Sequence, residues 1–502
     1  MTIAHNKDAT PAYTALCAHW QRMYRLGHVL SIAGVDRETL MPSGGNAARA
    51  AAMAEMDGLI HGLRTQADLE QRLNAAAEES LDDDARANLR EMHREWFDAN
   101  ALPGELVERK TLAAANCTHA WRTQRAANDW PGFLGNFREV LAIAREEAEF
   151  LSRQSGLAPY DALLERYEPG MRGATLDVIF GNLKTWLPDL IQRAIARQAQ
   201  HPTLVPQGPF NDAAQRAIGP ELMQLLGFDL NAGRLDESTH PFCGGVPEDV
   251  RITTRYSTDN ILQSVMGVIH ETGHARYEQN LPREWLGQPI ANARSMGIHE
   301  SQSLSFEMQL ARSPAFVGIL SPLLAKHHGA QAAFATDQLT RLLTQVKPGL
   351  IRVDADELTY PLHVILRYEI ERGLIEGEIE ADEIPEQWNR RMQDWLGLNT
   401  RGDFRNGCLQ DVHWSEGLFG YFPCYTLGAM YAAQWFATMR RAMPELDQCI
   451  ANGDLSPVFD WLKANIWSQG SRWPTDELCR RASGETLNPA YFRAHLEGRY
   501  LA

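Results

Sequence analysis

The sequence predicts a mainly α-helical protein, one large helical body with a small β element near its middle. Three observations predict it. Apolar residues recur three and four apart through most of the chain, with Ala, Glu, Arg and Gln between them. A single interval, roughly 201–257, breaks that texture with Pro and Gly. No internal repeat or low-complexity linker divides the remainder. The chain therefore reads as one domain over 1–502, with a helical N-terminal lobe over 1–200 and a second lobe, carrying the chemistry, over 201–502.

The elements follow in order. Ala47–Leu63, Leu89–Phe97, Phe133–Ser152 and Leu176–Gln200 each carry the helical period. Asp82, Asp83 and Asp84 suit a helix start, because carboxylates favour the positive end of the helix dipole. Between 201 and 257, Pro206, Gly208-Pro209, Gly219-Pro220 and Gly244-Gly245 interrupt the pattern. Val250, Ile252, Thr254 and Tyr256 alternate with polar neighbours, predicting one short strand. Helices resume at Asn260. Adjacent His327 and His328, followed by Gly329, predict a helix end rather than a metal site. Residues 417–439 lack formal charge, but Pro423, Gln434, Gly420 and Gly428 predict a loop running into a buried helix, not a membrane span.

Composition narrows the function. Hydrophobic residues at 44% and charged residues at 22% are ordinary for a globular chain. A formal charge of −16 leaves no global basic footprint for nucleic acid or an anionic membrane. The seven cysteines form no CxxC pair, which predicts free thiols in a reducing, cytoplasmic setting. The opening Met1–Asp8 has no basic segment followed by an apolar one, so no secretory signal is expected.

The sharpest chemical signal is His270-Glu271-Thr272-Gly273-His274. Histidines at i and i+4 share a helix face, so two neutral imidazoles converge on one metal ion. Glu271, beside the first histidine, reaches an attacking water without ligating. Ile261, Leu262, Val265, Met266 and Ile269 give this helix a buried stripe; Ser257, Thr258 and Asp259 are cap candidates, and Asn280-Leu281-Pro282 is a stop. A catalytic zinc site usually has a third protein ligand. Position 280 is Asn, which excludes the metzincin pattern. Glu300 opens a second helical pattern with Leu304, Met308 and Ala311 and is the expected third ligand, with His299 as its rival.

In this context the chain resembles the carboxypeptidase Taq family of zinc carboxypeptidases. Asp249-Val250-Arg251-Ile252-Thr253 is similar to that family's DxRxT, and His270–His274 to its HExxH. His299-Glu300-Ser301-Gln302 is similar to HESQ, Ile351–Asp356 to IRxxAD, and Gly407–Trp414 to GxxQDxHW. Asp36–Pro42 is similar to an N-terminal segment, WDxETxMP, with Val35 standing where Trp is common. Cys424 stands where the family often has a hydroxyl, and a thiol in the pocket would add thiol sensitivity or alter affinity.

The resemblance implies a helical fold with a deep active-site cleft and a homodimer. It implies release of single amino acids from the free C-terminus of peptides, with broad specificity, using Zn2+ or its replacements Co2+ and Mn2+. Glu271 would be the base, and His270, His274 and Glu300 the metal ligands. Arg352 matches the arginine that grips the substrate carboxylate, and a planar guanidinium suits that task. Arg251 is a second candidate, with an ion pair to Asp249 as the competing reading. His413, Tyr421 and Tyr425 are candidate oxyanion donors, with aromatic packing as the alternative. Asp356 and Asp411 are candidates for orienting the ligand histidines, or else for loop ion pairs. Two other functions use the same residues: an oligopeptidase cutting internally, and a non-catalytic peptide-binding protein that keeps a metal for stability. The base Glu271 argues against the second.

Overall fold

The computed structural model describes residues 10–501, so the reading of Met1–Asp8 lies outside it. Among the described residues, twenty α-helices surround one three-stranded sheet. The predicted helices are present and longer: Asn46–Arg64, Asp83–Asn100, Trp130–Ser155 and Gly173–Gln198. Asp82 caps the second of these, its side chain accepting from the Ala85 amide at 2.8 Å. The helix Pro314–His328 ends at the histidine pair, and His327 Nε2 lies 2.8 Å from Glu221 in an ion pair rather than a metal site.

Two expectations need correction in the central interval. The sheet has three strands, not one: β1 Gly233–Glu237, β2 Cys243–Val246 and β3 Asp249–Thr254. Central β3 pairs parallel with β1, Gly233 opposite Val250, and antiparallel with β2, Cys243 opposite Ile252. Both flanking strands are short and only partly buried, so they lack the alternation that betrays β3. Gly219-Pro220 also does not break its helix. Asp212–Leu225 runs through both residues. Proline here forfeits one backbone bond, and a Cβ at position 219 would lie 2.7 Å from Leu235 Cδ2, so the glycine lets the helix lie on β1.

A main apolar core runs from Ala101 to Tyr500, and a smaller one joins residues from Tyr13 to Met92. The helix Pro423–Ala442 is buried along most of its length, and no helix among the described residues is long and apolar enough to cross a membrane. All seven cysteines are free thiols. Val35, at the position where tryptophan was anticipated, is buried and packs on Gly244 of β2.

Replacing Asp82 by Ala removes the cap of Asp83–Asn100. We expect a loss of about 1 kcal/mol, read as a lower midpoint in chemical denaturation. An unchanged midpoint would mean that packing alone holds this helix.

Candidate metal centre

The centre is assembled by three segments. The motif helix, Ile261–Gln279, carries His270, Glu271 and His274. Its cap is Asn260, which accepts from the Leu262 amide, while Ser257 accepts from the Asp259 and Asn260 amides one step outside; the cap was expected at 257–259. The helix Met296–Leu304 carries Glu300, with Ser295 as its cap. The expected α-helical continuation past Leu304 instead widens into a π-helical turn, Ser305–Ala311, a form that clusters at functional sites.

Glycines set how closely these elements meet. A Cβ at Gly273 would lie 2.6 Å from Gln302 O and Ser303 Cα. A Cβ at Gly428, on Pro423–Ala442, would lie 2.7 Å from Glu300 Cβ and Cγ. Backbone thus touches backbone or side-chain stem on both sides of Glu300, leaving its carboxylate a single direction to face.

One donor atom each from His270, His274 and Glu300 lies within 4.8 Å of the others. His274 Nε2 is 3.4 Å from Glu300 Oε2. The far ring nitrogens are committed. His270 Nδ1 bonds Glu307 Oε2 at 2.8 Å, and Glu307 Oε1 accepts from Arg312 at 2.6 Å. His274 Nδ1 meets His299 Nδ1 at 2.6 Å, and His299 Nε2 meets Glu278 at 2.9 Å. Glu278 fixes the direction of that chain: His299 donates from Nε2, accepts at Nδ1, and so leaves His274 Nε2 without its proton. His299, the rival ligand, is thereby placed behind His274.

Electrostatics agree with this arrangement. Burial disfavours charge on His270, but the Glu307 bond and the carboxylates of Glu300 and Glu271 carry it up to about 10. An imidazole that draws a proton so strongly draws a divalent cation for the same reason. Burial keeps His274 neutral, down at about 4. Burial also raises Glu271 to about 7, with Glu300 adding to the shift and His270 opposing it. Two imidazoles and one carboxylate, partly buried and converging on one point, suit zinc and other borderline divalent ions.

The profile of the family described as carboxypeptidase Taq (M32) metallopeptidase matches residues 15–500. The chain belongs to this family. It is 37% identical to thermostable carboxypeptidase 1 of Thermus thermophilus over 98% of each chain. It is 32% identical to carboxypeptidase 1 of Bacillus subtilis over 96% of each. Among solved structures, metallocarboxypeptidase 1 of Trypanosoma cruzi superposes with a TM-score of 0.96 at 48% identity, over 98% of this chain and 100% of that one. A Pyrococcus furiosus carboxypeptidase gives 0.93 at 31% identity, over 97% and 99%. The protein is a metallocarboxypeptidase, a peptide hydrolase of M32 type.

The remaining predicted residues of this M32 chain fall into two places. Arg352 is buried; its Nε and Nη2 lie 3.0 and 2.9 Å from Asp411 Oδ1, and its Nη1 donates to Tyr360 Oη at 2.8 Å. Its guanidinium lies over the Tyr425 ring at 4.9 Å. Tyr425 Oη is 3.1 Å from His413 Nε2, and the rings of His413, Tyr421 and Tyr425 pack together. Arg251 is elsewhere, on β3, in a two-toothed pair with Asp249 at 2.5 and 2.7 Å.

Asp356 and Asp411 do not orient the histidines. Asp356 accepts from the amides of Leu358, Thr359 and Lys347. Asp411 joins Arg352 to Arg367, whose Nε donates to Oδ2 at 2.6 Å. The carboxylate behind His270 is Glu307, which sequence reasoning missed. No motif marked it, and α-helical spacing does not carry from Glu300 to Glu307, because the helix widens at Ser305. Tyr360 was also missed, and no motif spacing marked it. Cys424 is buried, with its thiol pushed well above the ordinary range by burial and by the charges of Glu168 and Glu300.

Gly273→Ala and Gly428→Ala should each force the Glu300 helix outward. We expect weaker metal retention against a chelator together with a stability loss of about 1–3 kcal/mol from overpacking. Wild-type retention in both variants would show that the close approach is not what sets the site.

Proposed function

We propose that His270, His274 and Glu300 hold the divalent ion of this metallocarboxypeptidase, with Zn2+ the first choice and Co2+ or Mn2+ able to replace it. When bound, such an ion supplies Lewis acidity and makes water a nucleophile near neutral pH. The remaining work falls to the chain. Glu271, buried beside the first histidine and raised to about 7, takes the proton of the attacking water and passes it to the leaving amine. His413, Tyr421 and Tyr425 supply the donors that meet the developing oxyanion.

The observation that carries the C-terminal reading is the charge balance around Asp411. Arg352 and Arg367 share this one carboxylate. Burial lowers Arg367 only to about 10, so it stays charged at neutral pH. Two guanidiniums around one shared carboxylate, with buried Glu371 acting on Arg367 from one helical turn on, leave a locally positive setting that favours an incoming anion. It lies within electrostatic reach of Glu300, whose charge acts on Tyr360, Tyr421 and Tyr425. A free C-terminal carboxylate supplies that anion one residue from the bond to be cut. An internal-cutting peptidase gains nothing from such a cluster. Arg251, with both forks on Asp249, is left out of this role. The family resemblance supports broad specificity and a homodimer, and the sparse, unpaired cysteines support a cytoplasmic setting.

Glu271→Gln should lower kcat by roughly 10²–10⁴-fold while metal content stays at the wild-type level. Loss of metal together with activity would make Glu271 a ligand or a folding determinant instead. One peptide offered as free acid and as C-terminal amide decides the mode of cleavage. The free acid alone should shorten, one residue at a time, when followed by mass spectrometry. Internal cuts in both forms would establish an oligopeptidase. Arg352→Ala should raise KM for the free acid, and Arg352→Lys should restore it only in part because the fork is lost. Equal KM values in wild type and variant would take Arg352 out of carboxylate recognition.

A further inference from the structure

Glu307, which bonds His270 Nδ1, sits on the π-helical turn Ser305–Ala311. The position of Glu307 therefore depends on where this turn is held, and two arginines bond to it from outside. One brace is Arg312, which donates to Glu307 and to Leu343 O at 2.7 Å. The other comes from the far end of the chain. Arg499, on the C-terminal helix Pro489–Leu501, donates to Met308 O at 2.6 Å, the residue next to Glu307.

Arg499 is itself fixed. Its Nη1 also donates to Glu357 at 2.9 Å, and Glu357 accepts from Tyr500 Oη at 3.0 Å and pairs with His495 Nε2 at 2.7 Å. Burial opposes ionisation of Glu357, but Arg499 and His495 hold its carboxyl well below the usual range. The apolar side of the same helix, Phe492, Leu496 and Tyr500, is buried in the main core. Glu357 lies between Arg352 and Tyr360, so one carboxylate touches the C-terminal helix from within the segment that carries the substrate arginine. None of these residues touches the metal donors.

We propose that Arg499 and Glu357 are positioning residues for the metal centre: the C-terminal helix pins the π-helical turn and thereby holds Glu307 against His270. The inference rests on His270 being a metal ligand. Its consequence is that a residue more than 200 positions from the motif, Arg499, sets metal affinity.

The test uses the full chain, with Zn2+ or Co2+ affinity measured by chelator competition. Arg499→Met keeps the apolar stem and loses the donors. We expect about tenfold weaker metal binding, the low end of the 10–100-fold seen when the support of a ligand is removed. The visible spectrum of the Co2+ form should change with it; the metal-free protein should melt lower, because buried Glu357 loses one of its partners, and the Co2+ spectrum at a temperature where both proteins are folded separates the two effects. Arg499→Lys should recover part of the affinity. Wild-type affinity and spectrum in Arg499→Met would overturn the proposal. Should that variant fail to fold, Glu357→Gln carries the same expectation and the same overturning result. His270→Ala separates the two layers of the argument: undiminished metal binding there would overturn the ligand assignment itself, whatever Arg499 does.

Discussion

The structure depends on the contact of three helices around one glutamate. Glu300 reaches two histidines of another helix only because Gly273 admits the backbone of residues 302 and 303, and Gly428 admits the stem of Glu300 itself. The Thr272-Gly273 pair inside HExxH is thus a packing statement as much as a chemical one. Any Cβ at these two positions would meet atoms that have no room to move, because Gln302, Ser303 and Ser301 are buried on their own helix. Side-chain chemistry selects the metal donors, and absent side chains set the distance between them.

Around that contact the charges divide into two fields. On the metal side, three carboxylates, Glu271, Glu300 and Glu307, gather around His270 and the guanidinium of Arg312. On the substrate side, Arg352 and Arg367 face a single carboxylate, Asp411, and the surplus is positive. Under the proposed function each field is the complement of something that binds: a divalent cation in one case, a terminal carboxylate in the other.

Much of this was legible in the sequence, and the limits have physical causes. Long helices announce themselves by period, and Asp82 announced a cap by chemistry. The catalytic helix was legible because its two histidines and its glutamate act at short range along one element. The flanking strands β1 and β2 were not, because each is short and only partly buried and carries no alternation. Proline at 220 misled because a helix tolerates one when a neighbouring glycine and tertiary packing supply compensation. The partners of the ligand histidines were the hardest to place. Asp356 and Asp411 belong to conspicuous motifs yet serve a backbone turn and two arginines, whereas Glu307 lies in no motif. Its reach to His270 depends on a π-helical turn, and local sequence does not encode that widening.

Why such a turn persists is a question of what surrounds it. A π-helical stretch shifts the backbone bonding to i→i+5 and so aims its side chains between the usual α-helical directions. Here it brings Glu307 to His270 while Glu300, two turns earlier, reaches His274. Both ligands of the motif helix are therefore served from one continuous segment, Met296–Ala311. The π-helical half of that segment is also bonded from outside, by Arg312 at Glu307 and by Arg499 at Met308. The metal centre is local in its donors and global in its rigidity, which is why a helix at the end of the chain belongs to its physical description.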